Sequence, residues 1–582
     1  MTRSSDENKR DANASEISRR GVMALTAAAG ATAALGPPAM AQTGAANARP
    51  ADLVLINGRI HTMDNASTVT DAVAIRNGRF VAIGADAAAM AATAARTVNL
   101  GGKTAFPGII EPHCHVVSVY NRPGYHTILE NTANLAEVQK ALAERRKTVP
   151  ADGWITSMGG FHPNQWSDIK VLPTREQLDQ AVPDRPVFLY TRFTGPAVTN
   201  SMGKKLFDEW DKTPAHPDIV PVAVAEDGLI KDGGFGKVTP ATSALFLLRS
   251  RTTFDDKLRT TMETQRYAAR LGLTTMGDKV LFPTPGPLHP IQVLSNLDQY
   301  RMYDPLLEID RQGKSISRIE ISFLHHQGFI PALGDMANQL PELRARLRNQ
   351  FPNFGSEMVS TGGIGEWAAP VNVDRSTPGG QVWFEAQRLV AEAGWRNENA
   401  VSNAKEFEGV VQAWEELAAK GYDIKDKRYI IHHADGATPE LLARAKALGA
   451  GVAMAAFRWV VSNDGKPAGV PFRTILDSGV RAGLQGDGVH ISPLNPWAHM
   501  QYVITGLNSL GQQVNDGQRL NRAETIRLFT RENAWFLLRG SEIGTIEAGK
   551  RADVAVLDRD YFTVPDQEIR NIRSAMTVVG GN

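Results

Sequence analysis

The chain has 582 residues, 42% of them hydrophobic, enough to build an ample core in one large domain or several ordinary ones. Lys+Arg number 63 against Asp+Glu 62, a formal net charge of +1, which argues against a polyanion such as nucleic acid and leaves a small molecule as the default partner. The single cysteine, Cys114, excludes an intrachain disulfide.

Residues 1–41 have the pattern of a twin-arginine export signal. Ser18-Arg19-Arg20 precedes a mildly apolar Ala-rich run, and Ala39-Met40-Ala41 supplies an A-x-A cleavage site. The run is short, diluted by Gly and Thr and broken by Pro37-Pro38, which argues against a membrane helix. The expected mature chain starts near Gln42, has no membrane span and resides in the periplasm.

Residues 49–107 carry two hairpin signals, Asn57-Gly58 within DLVLINGRIHTM and Asn77-Gly78 within AVAIRNGRFVAIG. Asn-Gly between alternating apolar runs suits a type I′ turn, whose two central residues both take positive φ. Residues 536–582 repeat the theme, since GTIEAGKRADVAVLDRDYF and SAMTVVGG read as short strands with Gly-rich turns. The two flanks form either one composite β domain closed by both chain ends or two separate β units.

Between them, residues 108–535 alternate strand-like runs (PVFLYTRF, LTTMGDKV, RIEISFLHH, RYIIHHA, GVAMAAFRWV) with helical ones (AEVQKALAERRKTV, FDDKLRTTMETQRYAARLG, TPELLARAKALG). That alternation predicts parallel βαβ units in an α/β fold, hence a TIM-type barrel or a doubly wound sheet. Residues of about 120–250, rich in Pro, Gly and Trp, read as an insertion. Phe161, His162, Trp166 and Phe193 are its aromatic candidates for a pocket wall and have no assigned role.

The run FPGIIEPHCH ends an apolar strand. Side chains alternate along a strand, so His113 and His115 share one face and Cys114 takes the other. Two imidazoles one residue apart reach a single ion, which makes the pair the first metal-ligand candidate.

With these residues in view, the pattern NGRI…DAVAIRNGRFVAIG…FPGIIEPHCH, together with GTIEAGKRADVAVLD, resembles the metal-dependent amidohydrolase superfamily. The branch it resembles is amidohydrolase family three, which includes N-substituted formamide deformylases, and the likeness covers nearly all of residues 50–580. WITSMGGFHPNQW, LPTREQLDQAVPDRPVFLYTRFTGPAVTNS and LGLTTMGDKV are further landmarks. The resemblance implies a (β/α)8 TIM-type barrel with the metal site at the C-terminal ends of its strands, capped by a composite β-sandwich built from both chain ends.

It also implies a ligand set. His433 in RYIIHHADG falls at a family histidine, and strand alternation then turns His432 away. Asp487 in AGLQGDGVHISPLNP stands at the final aspartate, as a ligand and as the group that moves a proton from water to the leaving atom. In EMVSTGG, Glu357 occupies the place of a bridging lysine and Thr361 that of an aspartate; a glutamate has two anionic oxygens with which to bridge.

Two places depart from the pattern. AGWRNENAVSNA has Asn399 or its neighbour where the family has histidine, and Thr194-Gly195-Pro196 replaces a usual Gly-His. His325, His326 and His490 are available as substitutes. The expected site is therefore His113, His115, Glu357, His433 and Asp487 around one or two divalent ions, zinc first. The implied activity is hydrolysis of an amide-like, non-peptide carbon–nitrogen bond of a small molecule by metal-activated water. A lyase on the same fold (decarboxylase or hydratase) and a catalytically silent periplasmic binding protein are the alternatives. A homodimer follows from the resemblance alone.

Overall fold

The computed structural model describes residues 50–191, 195–210, 220–232, 239–279, 301–325, 340–461, 469–490 and 492–582. Residues 1–41, expected to be an export signal, and Phe193, Thr194 and His326 lie outside the described residues.

The α/β alternation expected for the middle of the chain is present as two four-stranded sheets. The first holds β1 (Ile109–Cys114), β2 (Leu273–Lys279), β3 (Arg318–Phe323) and β4 (Val359–Ile364) in that spatial order, every neighbour parallel. The second holds β5 (Glu398–Ala400), β6 (Ile430–His433), β7 (Gly451–Ala455) and β8 (Arg481–Gln485), again all parallel. Lone parallel bridges link the two sheets at both margins, Ile364 to Asn397 and Cys114 to Gly488.

Helices of the crossovers cover these strands, and their ends are written in the sequence. Thr253 starts Phe254–Arg270 with a capping box that includes Asp256, and Thr438 followed by Pro439 starts Pro439–Ala447. Because parallel strands are packed on both faces, they read as continuous buried runs, and every residue of β2 and β7 is buried. Outside the sheets, Trp383 and Trp414 are fully buried in an apolar core that also takes Ile319, Ile431, Val452 and Leu442.

Both chain ends contribute to a second β region. One sheet orders strands 79–83, 73–76, 53–56 and 96–99. The other orders 574–578, 554–557, 104–107, 59–61 and 69–70, so residues separated by most of the sequence are direct neighbours. A shared apolar cluster joins Leu55, Ile75 and Phe80 of the first sheet to Ile60, Ala105, Val554 and Val556 of the second. Arg318 at the start of β3 is buried against Asp553, which ties this β region to the parallel sheets.

One hairpin expectation holds and the other is corrected. At Asn77-Gly78 both residues have positive φ, 50° and 73°, and strands 73–76 and 79–83 pair antiparallel. At Asn57-Gly58 only Asn57 does, and strands 53–56 and 59–61 belong to different sheets. There the turn carries the chain from one sheet to the other, because Gly58 donates its N–H to Asp71 rather than closing a hairpin.

Residues expected as an insertion form a separate five-stranded sheet, 229–230, 197–199, 187–190, 155–158 and 125–126, with its own apolar core. Phe161 and Trp166 stack at 5.7 Å inside that core, and His162 caps the turn 163–165 by accepting from Asn164 N–H. Among the described residues no helix is long and apolar enough to cross a membrane.

Candidate metal centre

Ionisable side chains gather where the parallel strands end. On β1, Glu111 and His113 point to one side, while Cys114 turns outward with its thiol 3.6 Å from Gly277 O. His115 follows the strand at φ −123°, at the start of the short helix Val116–Tyr120. Glu111 accepts from its own neighbour's His113 N–H (3.0 Å) and from Gly486 N–H (2.9 Å), so one buried carboxylate stitches β1 to the loop after β8. Gly486 has no room for a side chain: a Cβ there would lie 2.5 Å from His499 Nε2 and 3.0 Å from Glu111 Oε2.

That stitch sets Asp487, which has φ 53° and donates its N–H to His113 O. His115 Nε2 is 2.8 Å from Asp487 Oδ1, His113 Nε2 is 3.6 Å from the same oxygen, and His433 Nε2 is 3.4 Å from Oδ2. Glu366, two residues past β4, brings Oε2 to 2.7 Å from His113 Nε2 and 3.9 Å from His433 Nε2. His113, Glu366, His433 and Asp487 thus offer four ligand atoms that all lie within 4.8 Å of one another.

Whether these residues suit a cation can be tested on their unspent valences. His113 Nε2, His433 Nε2 and Glu366 Oε2 are buried and make no hydrogen bond within the chain. Buried polar atoms ordinarily find a partner, and two imidazole nitrogens and a carboxylate oxygen converging without one fit a divalent cation. Nitrogen and oxygen donors of this kind are zinc ligands.

The protein's own charges polarise the cluster. Burial alone would raise Asp487, but the hydrogen bond from His115 and the imidazole of His433 close beside it outweigh that and hold the carboxyl well below the usual range. Burial would lower His115, yet its bond to Asp487 and the nearby carboxylates push it up to about 9. Burial raises Glu366 to about 7 and, with His432 beside it, lowers His113 well below the ordinary imidazole value.

Several sequence expectations meet here and others do not. His113, His115, His433 and Asp487 are brought together. Glu357 is not: it precedes β4 at the opposite end of the strand, where it pairs with Arg318 at 3.0 Å and with Arg551. The carboxylate from this strand is Glu366 instead, because the acid must follow the C-terminal end of β4 to reach the other ligands. Thr361 likewise stays away, donating to Phe351 O at 2.7 Å.

His432 is the second correction. It does not turn away, since its Nδ1 stands 3.0 Å from His113 Nδ1 and its Nε2 2.7 Å from Glu398 Oε2. Strand alternation fails at this point because His433 and Ala434 have φ of 68° and 64°, which swings both histidines to the same side. Asn399 points away, accepting from the Trp383 and Gln387 side chains, and the inward residue of β5 is its neighbour Glu398. His490 lies edge-on to His115 with ring centroids 5.0 Å apart, and His325 is buried after β3; neither is among the four converging residues.

Glu366, Glu398 and Lys279 escaped the sequence reading. For Glu366 and Lys279 the available signal was a charged residue at or just past the end of a strand-like run, GGIGE and MGDK; Glu398 opens β5 and carries no such signal.

The family model described as Amidohydrolase family matches residues 96–582. The chain belongs to the amidohydrolase family. It is an enzyme of the class that acts on carbon–nitrogen bonds other than peptide bonds. It is 24% identical over 559 residues to the N-substituted formamide deformylase of Arthrobacter pascens, covering 91% of this chain and 97% of that one. It is 24% identical over 513 residues to the putative amidohydrolase YtcJ of Bacillus subtilis, 83% and 89% covered. Among solved structures, an uncharacterized metal-dependent hydrolase from Pyrococcus furiosus superposes with a TM-score of 0.56 at 20% identity, covering 88% of this chain and all of that one. A mutant atrazine chlorohydrolase from Arthrobacter aurescens, complexed with zinc and atraton, gives 0.50 at 15% identity, with 91% and 94% covered. At these identities the structural likeness speaks for the fold.

Proposed function

We propose that the chain is a metal-dependent hydrolase that cleaves an amide-like, non-peptide carbon–nitrogen bond of a small molecule. The observation that carries the reading is the convergence of His113, Glu366, His433 and Asp487, with three buried atoms left without a hydrogen bond. Its relatives' names agree with it, since one is a formamide deformylase and another a putative amidohydrolase. We assign His113, Glu366, His433 and Asp487 as the ligands of one divalent ion, zinc by donor type, with His115 holding Asp487 from outside. The lone bridges at both sheet margins support eight strands closed into a TIM-type barrel, and the shared apolar cluster supports a composite β-sandwich. The twin-arginine motif supports export to the periplasm.

A divalent ion held there would polarise the scissile carbonyl and lower the pKa of water from 15.7 to about 7. The chain's own residues do the rest. Asp487, kept ionised by His115, accepts the proton of the attacking water and passes it to the departing nitrogen. Glu111 fixes the loop that carries Asp487, so the carboxylate stays aimed while it works.

The test is elemental analysis of protein matured with zinc available, combined with a panel of N-formyl and N-acyl amines and detection of the released amine. Bound metal and amine release support the reading. Protein that binds no metal overturns it, and carbon dioxide release or water addition would move it to a lyase.

A further inference from the structure

His113 turns Nε2 toward Glu366 and Asp487 and Nδ1 toward His432, whose own Nδ1 is 3.0 Å away. A hydrogen bond between two imidazole nitrogens requires one to carry the hydrogen and the other a lone pair. The far side of His432 decides which is which. Its Nε2 faces Glu398 Oε2 at 2.7 Å. That carboxylate also accepts from Lys279 Nζ at 2.6 Å and from Ser322 Oγ at 2.8 Å, with Arg396 at 3.3 Å. With a lysine and an arginine on it, Glu398 is an acceptor only, so the hydrogen between it and His432 belongs to His432 Nε2. A neutral imidazole protonated at Nε2 has its lone pair at Nδ1.

We propose that Glu398 and His432 are positioning residues that set the tautomer of His113. Glu398 accepts from His432 Nε2–H, His432 Nδ1 accepts from His113 Nδ1–H, and His113 Nε2 keeps the lone pair that faces Glu366, His433 and Asp487. The opposite order would put a hydrogen on His113 Nε2 and close that atom to a cation. Partners behind a ligating imidazole commonly fix its ring and tautomer. Here the carboxylate acts across a second imidazole, and Lys279 is spent on orienting it. This inference rests on the reading of the cluster as a metal site.

The test compares the zinc affinity of the full chain with those of His432→Phe and His432→Gln by chelator competition, alongside nitrogen-15 histidine NMR of the zinc-loaded wild type. Phe removes the acceptor and should weaken zinc binding about 10- to 100-fold. Gln can present its amide oxygen to His113 and its amide N–H to Glu398, and should stay within about tenfold of wild type. The spectrum should show His113 protonated at Nδ1 and His432 at Nε2, each assigned by its loss on substitution. Unchanged affinity in His432→Phe, equal loss in both variants, or His432 protonated at Nδ1 overturns the proposal even where zinc binds. A wild type that binds no zinc overturns the metal-site reading itself, and this inference with it.

Discussion

Replacing Glu366 and Glu357 by glutamine, one at a time, separates the two acids that β4 makes available. Glu366 supplies one of the four converging ligand atoms. Structural zinc sites of four ligands hold their ion with roughly 10–16 kcal/mol, so one ligand's share is about 3 kcal/mol, or about two orders of magnitude in Kd. Glu357 begins on the other side of a strand of six residues, and at about 3.3 Å per residue that is roughly 20 Å away. Its partners are Arg318 and Arg551, and its side chain is 37% exposed, so losing its charge should cost about 1 kcal/mol of stability or less. Zinc affinity by chelator competition and unfolding in urea are the assays. Glu366→Gln should lose about a hundredfold in zinc affinity, and Glu357→Gln should bind zinc as the wild type does. A Glu357→Gln protein that loses its metal while Glu366→Gln keeps it would refute the placement of the ligands.

Asp487→Asn should lower kcat by about 10²–10⁴ with the far-ultraviolet dichroism unchanged, as measured by amine release. Glu130→Gln tests a buried acid outside the cluster: burial pushes Glu130 up from 4.5 to about 7, despite hydrogen bonds from Tyr267 O–H and Leu494 N–H. An acid raised in the folded state weakens the fold, with no cost below pH 4.5, a growing cost up to about pH 7 and the full cost above it. The glutamine variant should therefore gain up to about 3 kcal/mol at pH 8 and nothing at pH 4 in denaturant unfolding. Arg318→Met leaves Asp553 buried without its cation and should destabilise by about 3–5 kcal/mol in the same assay. Asn399→His should add no metal by elemental analysis, because that side chain faces Trp383 and Gln387, and overfilling the space should cost about 1–3 kcal/mol.

The parts of the site legible in the sequence came by two routes. His113 and His115 share a face because a strand has period two, whereas His433 and Asp487 stand where the resemblance to the amidohydrolases puts a histidine and the final aspartate. What resisted was set by backbone conformation and by register. No alternation rule foretells the φ of 68° at His433 that brings His432 into the cluster. Of Asn399 and its neighbour, it is Glu398 that takes the inward position on β5, which the residue types alone do not tell. Glu366 lies beyond the C-terminal end of β4, whereas Glu357 lies before its start, an acid whose charge serves two arginines. The strand and helix alternation was legible because strands such as Gly451–Ala455 are short apolar runs and helices such as Phe254–Arg270 and Pro439–Ala447 start on a threonine cap. Asn57-Gly58 was misleading because the same dipeptide serves a passage between sheets.

The strand 104–107 that runs straight into the first histidine pair is flanked in its sheet by 554–557, which is flanked in turn by 574–578. A ribosome releases these partners hundreds of residues apart. His113 and His115 are therefore made early, and the strand that leads into them must wait for residues 554–557 before it is fully paired. Assembly of the centre cannot proceed from one end to the other as the chain emerges, and a fragment lacking those late strands would leave strand 104–107, which leads into the strand of His113, as an unpaired edge.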